Sequence, residues 1–287
     1  MDRNIQDIYD VILKIILVVY REDFLSFIGI NKNIKEVLKT EFVTLNGDKY
    51  YLDFLCLLDD DTLYHIEFQF PKARPHDLDR FFDYNIVAQV TYGSLTETTV
   101  INFTSKKFSE KIRRIDRSKY FNPDYIYLGD IDYTGYWRKI NIKDESNLKL
   151  TVFEEIVVLL TCLMPECKKK AHMLDKISKL LKNKELFDKT RFEYVQAIIQ
   201  MEIENLISKE EQSKITEVVD MTPQAEKIIS QAISEVHRKS VHEARIDGRN
   251  EGKKEGREEV AKNLKDLMDD EEISRISGLS LERVKQL

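Results

Sequence analysis

The stretch from Tyr50 to Phe70, Y-Y-L-D-F-L-C-L-L-D-D-D-T-L-Y-H-I-E-F-Q-F, limits what this chain can fold into more than any other. It reads as two short strands joined by an acidic turn, the pattern of a β-hairpin. Successive strand side chains point to opposite faces. Tyr51, Asp53 and Leu55 therefore share one face of the first strand, and Leu52, Phe54 and Cys56 share the other. On the second strand His65, Glu67 and Gln69 stand opposite Ile66, Phe68 and Phe70. One hairpin face is apolar, while the other presents two carboxylates and an amide. A hairpin that needed only a wet face would more usually carry Thr, Lys or Ser there.

The 287 residues suffice for a sizeable core and two structural units. Glycine and proline number only 9 and 5, which favours long helices over a loop-rich architecture. The net charge of −6 gives no whole-molecule attraction to nucleic acid, so any DNA binding must use local basic patches or a metal. Cys56, Cys162 and Cys167 lack zinc-like spacing and read as reduced thiols. The polar N-terminus has no signal-peptide pattern. The apolar run Val11 to Val19, broken by Lys14, falls well short of the ~20 residues needed to span a bilayer. A cytoplasmic protein with no membrane partner is expected.

Along the chain, Ile8, Val11, Ile12, Ile15, Ile16 and Val19 mark an amphipathic helix over residues 4–29. Asn33 to Leu38 is a short helical or extended connection. A strand is expected at Glu41 to Leu45 and a turn at Asn46 to Asp48. After the hairpin, Pro71 and Pro75 bracket a loop. Leu78, Phe81, Phe82, Asn85, Ile86 and Gln89 then predict a helix over Asp77 to Val90. Thr98 to Phe103, Asp124 to Leu128 and Trp137 to Ile142 read as strands. Residues 1–145 thus form an α/β unit, followed by a helical region over 146–240 in which Thr222 caps a helix with Pro223 at its first position.

Over residues 241–262, Gly248, Gly252 and Gly256 recur every fourth position amid alternating charge. This is a tether or a frayed helix, since each interior glycine costs roughly 1 kcal/mol against alanine. The alternative is a stripe on which another helix approaches closely. Residues 263–287 have the shape of a small helix-turn-helix around S-G-L-S, with Ser280 as cap. The acids Asp269, Asp270, Glu271 and Glu272 suit a packing or oligomer-forming tail equally well.

Two carboxylates on adjacent strands make a hard oxygen site suited to Mg²⁺ or Mn²⁺. The alternative is a solvated acidic face. Asp53, Glu67 and Gln69, after one helix and before another bearing Arg80 and Tyr84, resemble the PD-(D/E)XK nuclease superfamily. They resemble more closely its family of transposases, the recombination-promoting nucleases, in which glutamine commonly replaces the last lysine. Y-D-V-I-L-K near the N-terminus resembles the family's D-x-x-F-K signature at Asp10 and Lys14, with Leu13 in place of the aromatic. The charged glycine repeat and the tail resemble the family's C-termini.

The resemblance implies a restriction-endonuclease-like α/β core, a mixed sheet flanked by helices, and a magnesium-dependent DNA endonuclease whose cuts promote recombination or DNA movement. Asp53 and Glu67 are then the metal ligands, and Gln69 positions the attacking water. Asp10 is a candidate third acid, for which Asp7 and Glu22 compete. Arg80, Tyr84 and Lys14 are candidates for phosphate or DNA contact. His65 shares the site face and reads as a solvated or hydrogen-bonding imidazole, with a general base as the alternative, while His76, His172, His237 and His242 form no constellation. One rival is a catalytically inactive module that keeps the fold and binds DNA or protein. Another is an interaction protein that forms a homo-oligomer through its helical C-terminal region.

Overall fold

The computed structural model of the chain describes residues 3–43, 49–70, 77–104, 113–114, 120–215, 219, 222–231, 256–265 and 268–287. The Asn46–Asp48 turn, the Pro71–Pro75 loop, His76, His237, His242, Gly248 and Gly252 lie outside the described residues. Residues 1–236 form one compact unit and 237–287 another.

The first unit opens with α1 (Arg3–Phe27). Ile12, Leu13, Ile16, Leu17, Tyr20 and Phe24 are buried along it, the i, i+3, i+4 stripe of a core-facing helix. The helix is kinked at Arg21, where φ is 35°. The strands that follow are β1 (Ile34–Val37), β2 (Glu41–Val43), β3 (Lys49–Tyr51), β4 (Phe54–Leu58) and β5 (Leu63–Gln69). After α2 (Asp77–Tyr92) come β6 (Thr96–Asn102), β7 (Arg113–Arg114), β8 (Tyr120–Phe121) and β9 (Asp124–Tyr127).

A five-stranded mixed sheet runs in the order β1-β4-β5-β6-β9. The β1–β4 and β4–β5 pairs are antiparallel, and the β5–β6 and β6–β9 pairs are parallel. A parallel neighbour needs a long crossover, and α2 supplies it between β5 and β6. The chain is thus α/β, with a mixed sheet flanked by helices and a helical C-terminal region.

Of the two readings of Asn33 to Leu38 the extended one holds, as strand β1 on the sheet edge beside β4. Two expectations change. The run Tyr51 to Cys56 is not one strand: Tyr51 pairs with Glu41 in a separate β2–β3 ribbon, and the chain bends at Leu52 and Asp53 before β4. Two bonds hold that bend, from the Leu52 amide to the Thr40 carbonyl (2.9 Å) and from the Phe68 amide to the Asp53 carboxylate (2.8 Å). Trp137 to Ile142 lies in a helix, α3 (Tyr133–Glu145). There Asp132 caps the start by accepting from the Gly135 amide (2.9 Å). Trp137 and Ile140, three apart, are buried, whereas Ile142 is exposed. Aromatic and β-branched composition suggests a strand here, but the burial spacing is helical.

On one sheet face Leu55, Leu63 and Val100 pack under Leu78, Phe81 and Ala88 of α2. On the other, Phe54, Cys56, Ile66 and Ile101 join one core with α1, α4 (Val152–Thr161), α5 (Lys170–Leu180) and α6 (Phe192–Leu206). A reciprocal cap starts α4: Thr151 accepts from the Glu154 amide, and the Glu154 carboxylate accepts from the Thr151 amide (2.6 Å). After α7 (Lys209–Gln212), residues 223–231 are helical, with Pro223 first and Thr222 accepting from the Ala225 amide (3.1 Å).

Glu202 of α6 is fully buried, and neither of its carboxylate oxygens has a hydrogen-bond partner among the described residues. Burial raises its pKa well above the usual carboxylate range; Lys170 opposes the shift and Cys167 adds to it. A raised folded pKa stabilises the native state below the unfolded pKa and loses that advantage as pH rises toward the folded value. Glu202→Gln is therefore expected to match the wild type near pH 4 and to exceed it in stability at higher pH. The gap should widen by about 1.4 kcal/mol per pH unit until the folded pKa is reached. Denaturant unfolding at pH 5 and pH 8 measures this.

In the second unit, residues 256–264 are helical and precede the helices Asp270–Ser277 and Leu281–Gln286. Ala261, Ile273 and Val284 form their common core. Gly278 ends the first tail helix at a φ of 67°, and Ser280 caps the second by accepting from the Arg283 amide (3.3 Å).

Candidate active site

The β4–β5 register pairs Phe54 with Ile66 and Leu55 with His65, so Asp53 stands opposite Glu67. Asp53 sits at the bend one residue before β4. Two reciprocal bonds lock the pair: the Phe68 amide donates to Asp53 Oδ2 (2.8 Å), and the Asp53 amide donates to Glu67 Oε1 (3.1 Å). The other oxygen of each carboxylate lies 4.0 Å from a cation, Asp53 Oδ1 from Lys14 Nζ and Glu67 Oε2 from Arg80 Nη2.

This face is not the solvated one that the hairpin suggests. Asp53, Glu67 and Gln69 are 8%, 2% and 7% exposed. The same face carries Leu55 and Leu63, which α2 covers, so the polar groups cluster at the end where β4 begins and β5 finishes. Buried carboxylates need charge partners and hydrogen bonds, and the site supplies both.

His65 is fully buried, with Nε2 2.9 Å from Glu67 Oε1 and Nδ1 3.2 Å from Thr98 Oγ1. Asn85 Nδ2 donates to Thr98 Oγ1 (3.0 Å) and to the Thr96 carbonyl (2.8 Å). The chain Asn85, Thr98, His65, Glu67 thus holds the carboxylate in place from behind. Partners of this kind change metal affinity by roughly 10- to 100-fold. If Asp53 and Glu67 hold a divalent cation, His65→Ala is expected to weaken Mn²⁺ binding about tenfold, read by titration of the Mn²⁺ paramagnetic signal.

The helices add the cations. Arg80 of α2 donates from Nη2 to Gln69 Oε1 (3.1 Å), and its side chain is 44% exposed, which makes it the outermost group of the site. Burial opposes its charge, but Glu67, Tyr84, Asp53 and Asp77 outweigh this and hold its pKa above the ordinary arginine value. The Tyr84 ring packs edge-on to His65 and to Tyr50, at 6.1 and 5.9 Å between centroids. On α1, Lys14 lies 3.3 Å from Asp10 and 4.0 Å from Asp53, so Asp10 connects to the hairpin carboxylate through Lys14. Glu22 is exposed, and its charge reaches the Cys56 thiol on the opposite sheet face. The Asp7 side chain lies outside the described residues.

Sequence reasoning missed Thr98, Asn85 and Asn102, the last paired in register with Gln69 on β6 and fully buried. One signal was present. Asn85 sits in the apolar stripe of α2, where a buried amide requires partners.

The donor chemistry fits a hard divalent cation. Asp53 and Glu67 offer carboxylate oxygens, the ligands Mg²⁺ prefers, and Mg²⁺ is commonly held by one or two carboxylates while keeping several waters. Among the described residues no group of three or more His, Cys, Asp or Glu side chains is placed to hold a metal. Comparison with known proteins finds no family model, no curated protein and no solved structure that matches this chain. Among the described residues no helix is long and apolar enough to cross a membrane.

Proposed function

We propose that the chain is a magnesium-dependent DNA endonuclease of the PD-(D/E)XK type, related to the recombination-promoting nuclease transposases. The observation that carries this reading is the Asp53–Glu67 pair, interlocked through backbone amides and flanked by Lys14 and Arg80. Two fixed carboxylates with two cations at 4.0 Å is the charge pattern that a phosphodiester and a divalent cation would together complement.

In this reading Asp53 and Glu67 hold Mg²⁺ or Mn²⁺, which supplies Lewis-acid activation of water and neutralises phosphate charge. Gln69 cannot act as a cation or a base at neutral pH. Its carbonyl oxygen is held by Arg80, so its amide N–H₂ is the end that donates, orienting a water or a phosphate oxygen. Arg80, outermost and cationic, meets the incoming phosphate. Lys14 supplies positive charge beside Asp53, the charge that glutamine at position 69 does not provide. His65 keeps Glu67 aimed.

The test is Mn²⁺ binding by the full chain, followed by paramagnetic resonance in the wild type, Asp53→Asn and Glu67→Gln. Binding in the wild type that both substitutions weaken supports the reading. Equal binding in all three would remove these carboxylates from any metal site.

A further inference from the structure

Arg80 and Lys14 flank the hairpin carboxylates at the same distance, 4.0 Å, but they are held very differently. Lys14 stands between two acids, 3.3 Å from Asp10 and 4.0 Å from Asp53. Arg80 has five N–H donors. Among the described residues it makes one hydrogen bond, from Nη2 to the neutral amide oxygen of Gln69 (3.1 Å). Its 4.0 Å separation from Glu67 Oε2 is too long for another. Arg191 is the internal contrast. Its Nε donates to the buried Glu155 carboxylate at 2.9 Å, and its side chain is 23% exposed against 44% for Arg80. Arg80 is the loosely tied cation of the site.

The guanidinium rests over two rings of its own helix without being locked there. Its Cζ lies 5.1 Å from the Phe81 ring centroid and 5.9 Å from that of Tyr84. Glu67 is fixed, since its Oε1 accepts from the Asp53 amide (3.1 Å) and lies 2.9 Å from His65 Nε2. The oxygen turned toward Arg80 is therefore Oε2. A divalent cation on this buried carboxylate would share it with the guanidinium charge, and like charges so close repel strongly where water is excluded. A phosphodiester acts in the opposite sense. It accepts two parallel N–H bonds from one guanidinium, a better partner than the single bond to Gln69.

We propose that Arg80 couples the two ligands of the site. Paired with Gln69 beside Glu67 it opposes a divalent cation; turned outward onto a DNA phosphate it withdraws that opposition. This coupling rests on the nuclease reading and adds to it a condition, that the cation is held tightly only where DNA lies. Each ligand removes an obstacle to the other, so the effect is reciprocal: DNA strengthens cation binding by the factor by which the cation strengthens DNA binding. Lys14 takes no part, because Asp10 and Asp53 hold it from both sides. A guanidinium fixed beside Glu67 would weaken cation binding equally with and without DNA. The factor by which DNA tightens cation binding therefore separates a moving Arg80 from a static one.

The test titrates Mn²⁺ into the full chain by its paramagnetic signal, alone and with saturating short duplex or single-stranded DNA. Phosphorothioate linkages slow hydrolysis of the DNA, and Mn²⁺ bound by the DNA alone is subtracted. Arg80→Met keeps an apolar stem over Phe81 and removes the charge. Without DNA it should bind Mn²⁺ about tenfold more tightly than the wild type, and it should lose about tenfold of the tightening that DNA gives. Lys14→Met should keep the wild-type factor. The coupling is overturned, with the metal site left standing, if DNA leaves wild-type Mn²⁺ affinity unchanged. It is equally overturned if DNA tightens binding by the same factor in the wild type and Arg80→Met. A wild type that binds no Mn²⁺ with or without DNA removes the metal site itself and the coupling with it.

Discussion

Replacing Asp53 by asparagine is expected to lower magnesium-dependent DNA cleavage about 10³-fold, roughly 4 kcal/mol of transition-state stabilisation. The fold should persist. Asparagine has the same shape, and its amide oxygen can still accept from the Phe68 amide, the bond that holds the bend before β4. What it loses is the negative charge that would hold the cation, close to Lys14. An unchanged circular dichroism spectrum alongside lost cleavage separates this effect from unfolding. Glu67→Gln should behave similarly, because glutamine retains an oxygen for the Asp53 amide and His65.

Arg191→Ala is expected to cost about 3 kcal/mol of stability, the largest single loss anticipated away from the site. Glu155 is fully buried and accepts from the Tyr20 hydroxyl (3.3 Å), the Asp188 amide (2.7 Å) and Arg191 Nε (2.9 Å). Removing the guanidinium leaves an uncompensated buried carboxylate, which is far more costly than never having formed the pair. For a unit of 236 residues this amounts to a melting point lower by roughly 6–12 °C. The double replacement Glu155→Leu with Arg191→Leu should recover most of that loss, because no charge is then stranded. The clamp also seats α1: Tyr20 lies on the helix that carries Lys14, and Arg191 packs 5.2 Å from its ring. Part of any activity lost in Arg191→Ala therefore comes through the placement of Lys14.

The hairpin was legible because strand alternation has a short, fixed period, and a few residues of register suffice to set Asp53 opposite Glu67. The bend at Leu52 and Asp53 was not, because it depends on Thr40 and Phe68, which only the folded chain brings near. Burial of the acidic face was hidden for a similar reason. Leu55 and Leu63 lie on that face in the sequence, but nothing local shows that α2 covers them. His65 looked partnerless in the sequence, since its second partner, Thr98, arrives on β6 after the α2 crossover. The α3 segment misled through its residue types, with Trp and Ile suggesting a strand while the Asp132 cap and the Trp137–Ile140 spacing specify a helix. The nuclease assignment rests on residue pattern and charge geometry together.

The most direct test of the central claim is incubation of the full chain with supercoiled, linear and single-stranded DNA in Mg²⁺, with and without excess chelator. Cleavage of at least one DNA form in Mg²⁺ and none in chelator is the predicted result. If every DNA form stays intact with Mg²⁺ or Mn²⁺ and the wild type binds neither ion, the Asp53–Glu67 pair is not a nuclease centre.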